Sequence, residues 1–184
     1  MTRKVKPART TVQSGRYTAY VAGSIDGRIS RDKNSKIDWT SREDWEFLQK
    51  SLKKTDAVIV GSNTYKVYKN LLNKRNTFVL TSKIKKIKIE GSVVFINPGN
   101  NNVKKFISSK GYEKVAVLGG SYIYNFCLAH KMLDILFLTI EPYIFTAGVP
   151  MFAGNKFRKY KFFLESIKRL NKNGTILLKY IYGN

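Results

Sequence analysis

The sequence predicts an α/β fold with a mostly parallel sheet, helices on both of its faces and an antiparallel edge at the C-terminus. Three observations point there. Short uninterrupted apolar runs, Ala57-Val58-Ile59-Val60 and Val115-Ala116-Val117-Leu118, suit strands buried on both faces. These runs alternate with segments of helical period, the order that gives parallel strands joined by crossover helices. The chain then finishes with two strand-like runs around Asn173-Gly174, a strong hairpin signal.

The elements follow in order. Tyr17 to Ser24 reads as the first strand, Ile25-Asp26-Gly27-Arg28-Ile29-Ser30 as a turn, and a loop runs on to Trp39. The first helix is expected over about Ser41 to Lys54, because its entry carries capping-box spacing twice, Thr40 with Glu43 and Ser41 with Asp44. Further strands are expected at about 57–60, 77–81, 93–96, 115–118 and 134–141, with helices at about 63–71, 101–110 and 121–130. The hairpin occupies 160–182.

At 184 residues, 43% hydrophobic and 13% aromatic, the chain suits one globular domain over 17–184. Residues 1–16 carry five basic side chains, no acid and no periodicity, and are expected to form a basic N-terminal extension. That segment has no secretory-type apolar stretch, which points to the cytoplasm, but its basic, acid-poor character also suits an organellar presequence. No apolar run approaches the roughly 18 residues that span a bilayer, and the longest, Met132 to Ile140, is interrupted by Asp134 and Thr139. One cysteine, Cys127, excludes an internal disulfide, and with one histidine, His130, it cannot build a zinc site, so no metal is expected.

The charge is lopsided: 34 basic against 12 acidic residues, a net +22. Such an excess favours polyanions and makes nucleic acid a candidate partner, although lysines interleaved with core residues also suit solvated faces alone. Six of the twelve acids cluster between Asp26 and Glu46.

Three strand ends carry chemistry. Val117-Leu118-Gly119-Gly120-Ser121 runs from strand through two glycines into a helix, which lets backbone approach a ligand and offers helix amides to an anion. Val60-Gly61-Ser62-Asn63-Thr64 repeats that logic, and Leu80-Thr81-Ser82-Lys83 ends a strand in two hydroxyls and a cation. Together they point to a cofactor with several phosphates, a dinucleotide lying across the strand ends. The remaining signal is Asp44, which heads an apolar stripe with Leu48 and Leu52 at i, i+4 and i+8. Beside Trp39 and Trp45 a partly desolvated carboxylate could orient a flat heterocycle and deliver a proton, or it could simply cap its helix.

These residues resemble the dihydrofolate reductase-like superfamily, most closely the branch containing the reductase domain of riboflavin biosynthesis (the RibD C-terminal type). Trp39 with Asp44 is similar to the superfamily's tryptophan and substrate carboxylate, Val60 to Tyr65 to its first cofactor turn, and Leu80-Thr81-Ser82 to the segment receiving the 2′-phosphate of NADPH. Leu118 to Tyr124 resembles its diglycine turn, and Leu138-Thr139-Ile140 its substrate-facing strand. Ala22 to Ile29, Ile140-Glu141-Pro142 and Ala147 to Phe152 resemble the riboflavin-type branch. The resemblance implies a dihydrofolate reductase-like three-layer fold and an NADPH-dependent reductase with Asp44 as the catalytic residue. It implies substrate contacts at Ser24, Asp26, Trp39, Asp44 and Thr139. Cofactor contacts are implied at Ala22, Gly61, Ser62, Asn63, Thr64, Leu80, Thr81, Ser82, Lys83, Gly119, Gly120, Ser121, Tyr122 and Ile123, with the loop from Gly27 to Asp38 as a lid.

The substrate is implied to be pyrimidine- or pteridine-like, of the 5-amino-6-(5-phosphoribosylamino)uracil or the dihydrofolate type. The chain departs from both. Lys74 or Arg75 stands where dihydrofolate reductases clamp a carboxylate, and Tyr20 stands where the riboflavin branch carries a lysine. A homodimer is compatible with this reading, and the rival is a reductase-like fold bound to RNA or the ribosome with reduced or no catalysis.

Overall fold

The structure, a computed structural model, describes residues 17–183, so the expected extension over 1–16 lies outside it. In chain order the elements are β1 (Tyr17–Ser24), β2 (Arg28–Ser30), α1 (Arg42–Leu52), β3 (Ala57–Gly61), α2 (Ser62–Leu72), β4 (Thr77–Leu80), β5 (Lys88–Glu90) and β6 (Val93–Ile96). They continue with α3 (Val103–Ser109), β7 (Val115–Val117), α4 (Ser121–Ala129), β8 (Ile135–Glu141), β9 (Val149–Pro150), β10 (Phe162–Arg169) and β11 (Ile176–Tyr182). Nine strands form one sheet in the order β10-β11-β8-β1-β7-β3-β4-β6-β5, while β2 and β9 pair separately. The central neighbours, from β8 through β1, β7, β3 and β4 to β6, are parallel. Both edges are antiparallel, through β11 and β10 on one side and β5 on the other.

The apolar runs explain the layering. Alternate residues of a strand face opposite ways, so Ile59, Phe78, Leu80 and Val117 pack into one core with Ile107 of α3 and Ile123 and Cys127 of α4. Val58, Val60, Val79 and Ala116 pack into a second core with Leu52 of α1 and Tyr65 and Leu72 of α2. Helices therefore cover both faces, and the carboxyl ends of the central parallel strands open on one side of the sheet, where ligands of open α/β sheets bind. Burial of Cys127 pushes its thiol up to about 12, which leaves it an inert packing group.

Three short strands were not legible. Arg28–Ser30, read as part of a turn, pairs with Val149–Pro150, and Lys88–Glu90 pairs with Val93–Phe95. Strands of two or three residues show no period, and β2 exists only because a partner some 120 residues away lies beside it. The helix ends also tighten. Ser41 and Asn102 accept hydrogen bonds from Asp44 N and Lys105 N as N-caps, so α1 and α3 begin at Arg42 and Val103. Among the described residues no helix is long and apolar enough to cross a membrane.

Candidate active site

A cleft of about 1070 Å³ lies over the carboxyl ends of β1, β3, β4 and β8, bounded by the starts of α2 and α4 and one face of α1. Gly61, Ser62, Asn63 and Thr64 line it where β3 passes into α2, as do Leu80, Thr81, Ser82 and Lys83 at the end of β4. Gly120, Ser121, Tyr122 and Ile123 line it at the start of α4, and Ala22 lines it from β1. Gly119 stands behind this wall: its carbonyl accepts from Gly61 N at 2.9 Å, so the two glycine turns brace each other. The Gly119–Gly120 peptide is cis.

The helix starts differ in a telling way. Both α1 and α3 have side-chain caps, whereas α2 and α4 begin on Gly61 and Gly120 with none. The amides and dipole at these helix starts favour an anion, although Ile123 N already donates to Gly120 O at 2.8 Å. A Cβ built on Gly120 meets nothing within 4 Å, so the backbone there borders open space. These features fit the phosphates of a dinucleotide.

Opposite them sits Asp44, only 9% exposed. Desolvation pushes its carboxyl above the usual aspartate range, against hydrogen bonds from Thr139 and Thr40, while the nearby Glu141 charge pushes it further up. Helix capping does not occupy this side chain. Within the capping box only the bond from Asp44 N to Ser41 Oγ forms (3.3 Å); the reciprocal bond, from Ser41 N, goes to Glu141 Oε1 at 2.7 Å. Glu43, the other capping candidate, accepts from Asn171 Nδ2 instead. Thr139, 2% exposed, lines the cleft beside Asp44.

Three expected substrate contacts are elsewhere. Ser24 Oγ donates to Asp26 Oδ1 (2.6 Å) and accepts from Arg28 N (2.9 Å), and Asp26 also accepts from Phe145 N and Thr146 N (3.0 Å each). Those donors hold the Asp26 carboxyl below its ordinary value, with the Ser24 hydroxyl the largest contributor. Both residues tie the turn after β1 to the 145–146 loop instead of lining the cleft. Trp39 also lies outside its wall, packing edge-on against Phe145 and Tyr143 with centroids 4.7 and 6.4 Å away. Its partner aromatics come from a loop over 100 residues later, which no local spacing reveals.

Other residues line the cleft that were not expected as site contacts. Tyr20 stacks on Phe137 (5.4 Å, 7°), and Phe47 meets both rings at 6.0 and 5.1 Å, giving an aromatic wall beside Asp44. The alternation of β1 and β8 places Tyr20 and Phe137 opposite each other in register, a pairing invisible until the two strands are known to be neighbours. Lys74 and Arg75 also border the cleft, with Arg75 Nη1 spent partly on Leu52 O at 3.0 Å. The Asp32–Ile37 loop crosses to α2, where Ile37 N donates to Tyr68 Oη at 2.8 Å. Tyr68 sits at a non-helical kink of α2.

Comparison with known proteins agrees with this fold. The family pattern described as Dihydrofolate reductase matches residues 19–170. No curated protein matches the sequence. Among solved structures the chain is similar to a pyrimidine reductase-like protein from Corynebacterium diphtheriae, with 15% identity, 92% of each chain covered and a TM-score of 0.75. It is similar to dihydrofolate reductase from Enterococcus faecalis complexed with NADP(H), with 22% identity, 92% of this chain and 98% of that one covered and a TM-score of 0.64. It is also similar to a diaminohydroxyphosphoribosylaminopyrimidine deaminase/5-amino-6-(5-phosphoribosylamino)uracil reductase from Thermotoga maritima, with 15% identity and a TM-score of 0.69, covering 91% of this chain and 56% of that one. At these identities the likeness shows a shared fold.

Proposed function

The chain belongs to the dihydrofolate reductase family, and on that premise we propose that it is an NADPH-dependent reductase of a flat pyrimidine- or pteridine-like heterocycle. One observation carries the reading: two helix starts without side-chain caps open onto the cleft that holds a buried Asp44, whose carboxyl desolvation raises above the usual aspartate range. NADPH, when bound, supplies the hydride. The first-turn amides of α2 and α4 would hold its pyrophosphate, and Thr81, Ser82 and Lys83 its 2′-phosphate. Asp44, hydrogen-bonded to Thr139, would accept ring N–H donors of the substrate and deliver a proton, directly or through water. Tyr20, Phe47 and Phe137 would exclude water from one side of that ring.

Cofactor choice provides the test. NADPH should bind the purified protein, freed of nucleic acid at high salt, more tightly than NADH. Alanine at Thr81, Ser82 and Lys83 together should remove most of that preference, on the order of 1–3 kcal/mol for charge-assisted bonds. Equal dissociation constants for the two cofactors in the wild type would rule out the 2′-phosphate assignment. Tight, salt-sensitive RNA binding with no detectable NADPH binding would favour the nucleic-acid reading instead.

The loop contact gives a second expectation. Tyr68→Phe keeps the ring but removes the acceptor for Ile37 N, so a loop that closes the cleft should open more easily. NADPH release measured by stopped flow should quicken. An unchanged release rate would mean that this bond does not limit cofactor exit.

A further inference from the structure

Glu141 ends β8 with 1% of its surface exposed, and no basic side chain is paired with it among the described residues. Its partners are neutral donors. Oε1 accepts from both Ser41 N and Ser41 Oγ at 2.7 Å, and Oε2 accepts from Thr175 Oγ1 at 2.7 Å. The Ser41 proton is thereby committed, which leaves a lone pair of the same hydroxyl turned to Asp44 N. On the far side Asn171 Nδ2 donates to Thr175 Oγ1 at 2.9 Å. A chain of hydrogen bonds thus runs from the C-terminal hairpin through Glu141 into the first turn of α1. A buried carboxylate without a cation depends on such donors to offset its desolvation.

We infer that Glu141 is a positioning residue for Asp44, fixing the first turn of α1 through Ser41 and setting a second buried carboxylate beside the substrate-facing one. The inference rests on Asp44 as the proton-bearing group of the site. Two neighbouring buried carboxylates resist ionising together. Glu141 takes the three donors, while desolvation foremost, with the Glu141 charge adding to it, raises the Asp44 carboxyl above its ordinary value. The titratable groups facing Asp44 are Glu141 from β8 and the Tyr124 phenol from α4. On its own helix, Glu43 is bonded to Asn171, and Arg42 pairs with Glu46.

The test reads the side-chain carboxyl carbons by NMR in the ligand-free protein as pH is varied. In the wild type the Asp44 resonance should titrate with a midpoint above the usual aspartate range. Glu141→Gln keeps the size and an acceptor for Ser41 but loses the charge, so the Asp44 midpoint should move down. A purely structural role would lower the melting temperature and leave that midpoint in place. An unmoved midpoint in the folded variant would overturn the inference. Should Glu141→Gln fail to fold, Glu141→Asp decides: it keeps the charge but draws it back from Ser41 and Asp44, so the Asp44 midpoint should again move down, and an unmoved midpoint overturns the inference. NADPH affinity of the same wild-type sample separates the two ideas, since its absence would count against the reductase and not against the carboxylate pair.

Discussion

Asp44→Asn is expected to reduce turnover by about 10²- to 10⁴-fold, the usual worth of a positioned acid, while NADPH affinity changes little. Asparagine keeps the shape and leaves the helix start intact, because that start is capped by the Ser41 hydroxyl and Ser41 N is bound by Glu141. What it removes is the titratable proton. In the wild type turnover should fall as pH rises through the raised Asp44 value, and this limb should vanish in the variant.

Stability carries a matching signature. The folded state holds the Asp44 proton more tightly than the unfolded chain does, since desolvation foremost raises its pKa above the ordinary 3.8. That contribution is fully present below the ordinary value and is lost as pH rises through the raised one. The variant should therefore lack the wild type's loss of stability across that window. If Asp44 served only as a helix-end charge, the substitution would cost at most about 1 kcal/mol and leave turnover intact. Turnover at the wild-type level in a folded Asp44→Asn would remove the acid from the mechanism.

The two glycines of the α4 turn should separate binding from folding. Gly120→Ala adds a methyl to open cleft space and meets no protein atom within 4 Å, so melting temperature should hold. Cofactor affinity should fall by about tenfold or more, a change of roughly 1.4 kcal/mol. Gly119→Ala behaves in the opposite way. Gly119 has φ +83°, where side chains are strained, and its added Cβ would lie 2.6 Å from the Tyr124 ring. That ring cannot step aside without giving up its hydrogen bond to Tyr20 O at 2.7 Å. Strain of about 1–3 kcal/mol should lower the melting temperature by several degrees. A Gly120→Ala protein that binds NADPH like the wild type would show the turn to be purely structural.

Much of this molecule was legible in its sequence. Fully apolar runs of four residues suit burial on both faces, so β3 and β7 and the helices covering them followed directly. Glycines at strand ends marked both strand-to-helix turns at the cleft, because the freedom they give the backbone is a local property. The i, i+4, i+8 stripe likewise placed Asp44 on the buried face of α1. Tertiary structure decided the rest. Ser24, Asp26 and Trp39 stand near the site in sequence, yet their partners at 143–146 draw them into a brace outside the cleft. Whether Asp44 capped its helix or faced the cleft also hung on a distant residue. Glu141, 100 positions from Ser41, takes the backbone N–H that a capping side chain would have bound, and a pairing across that distance leaves no trace in local spacing.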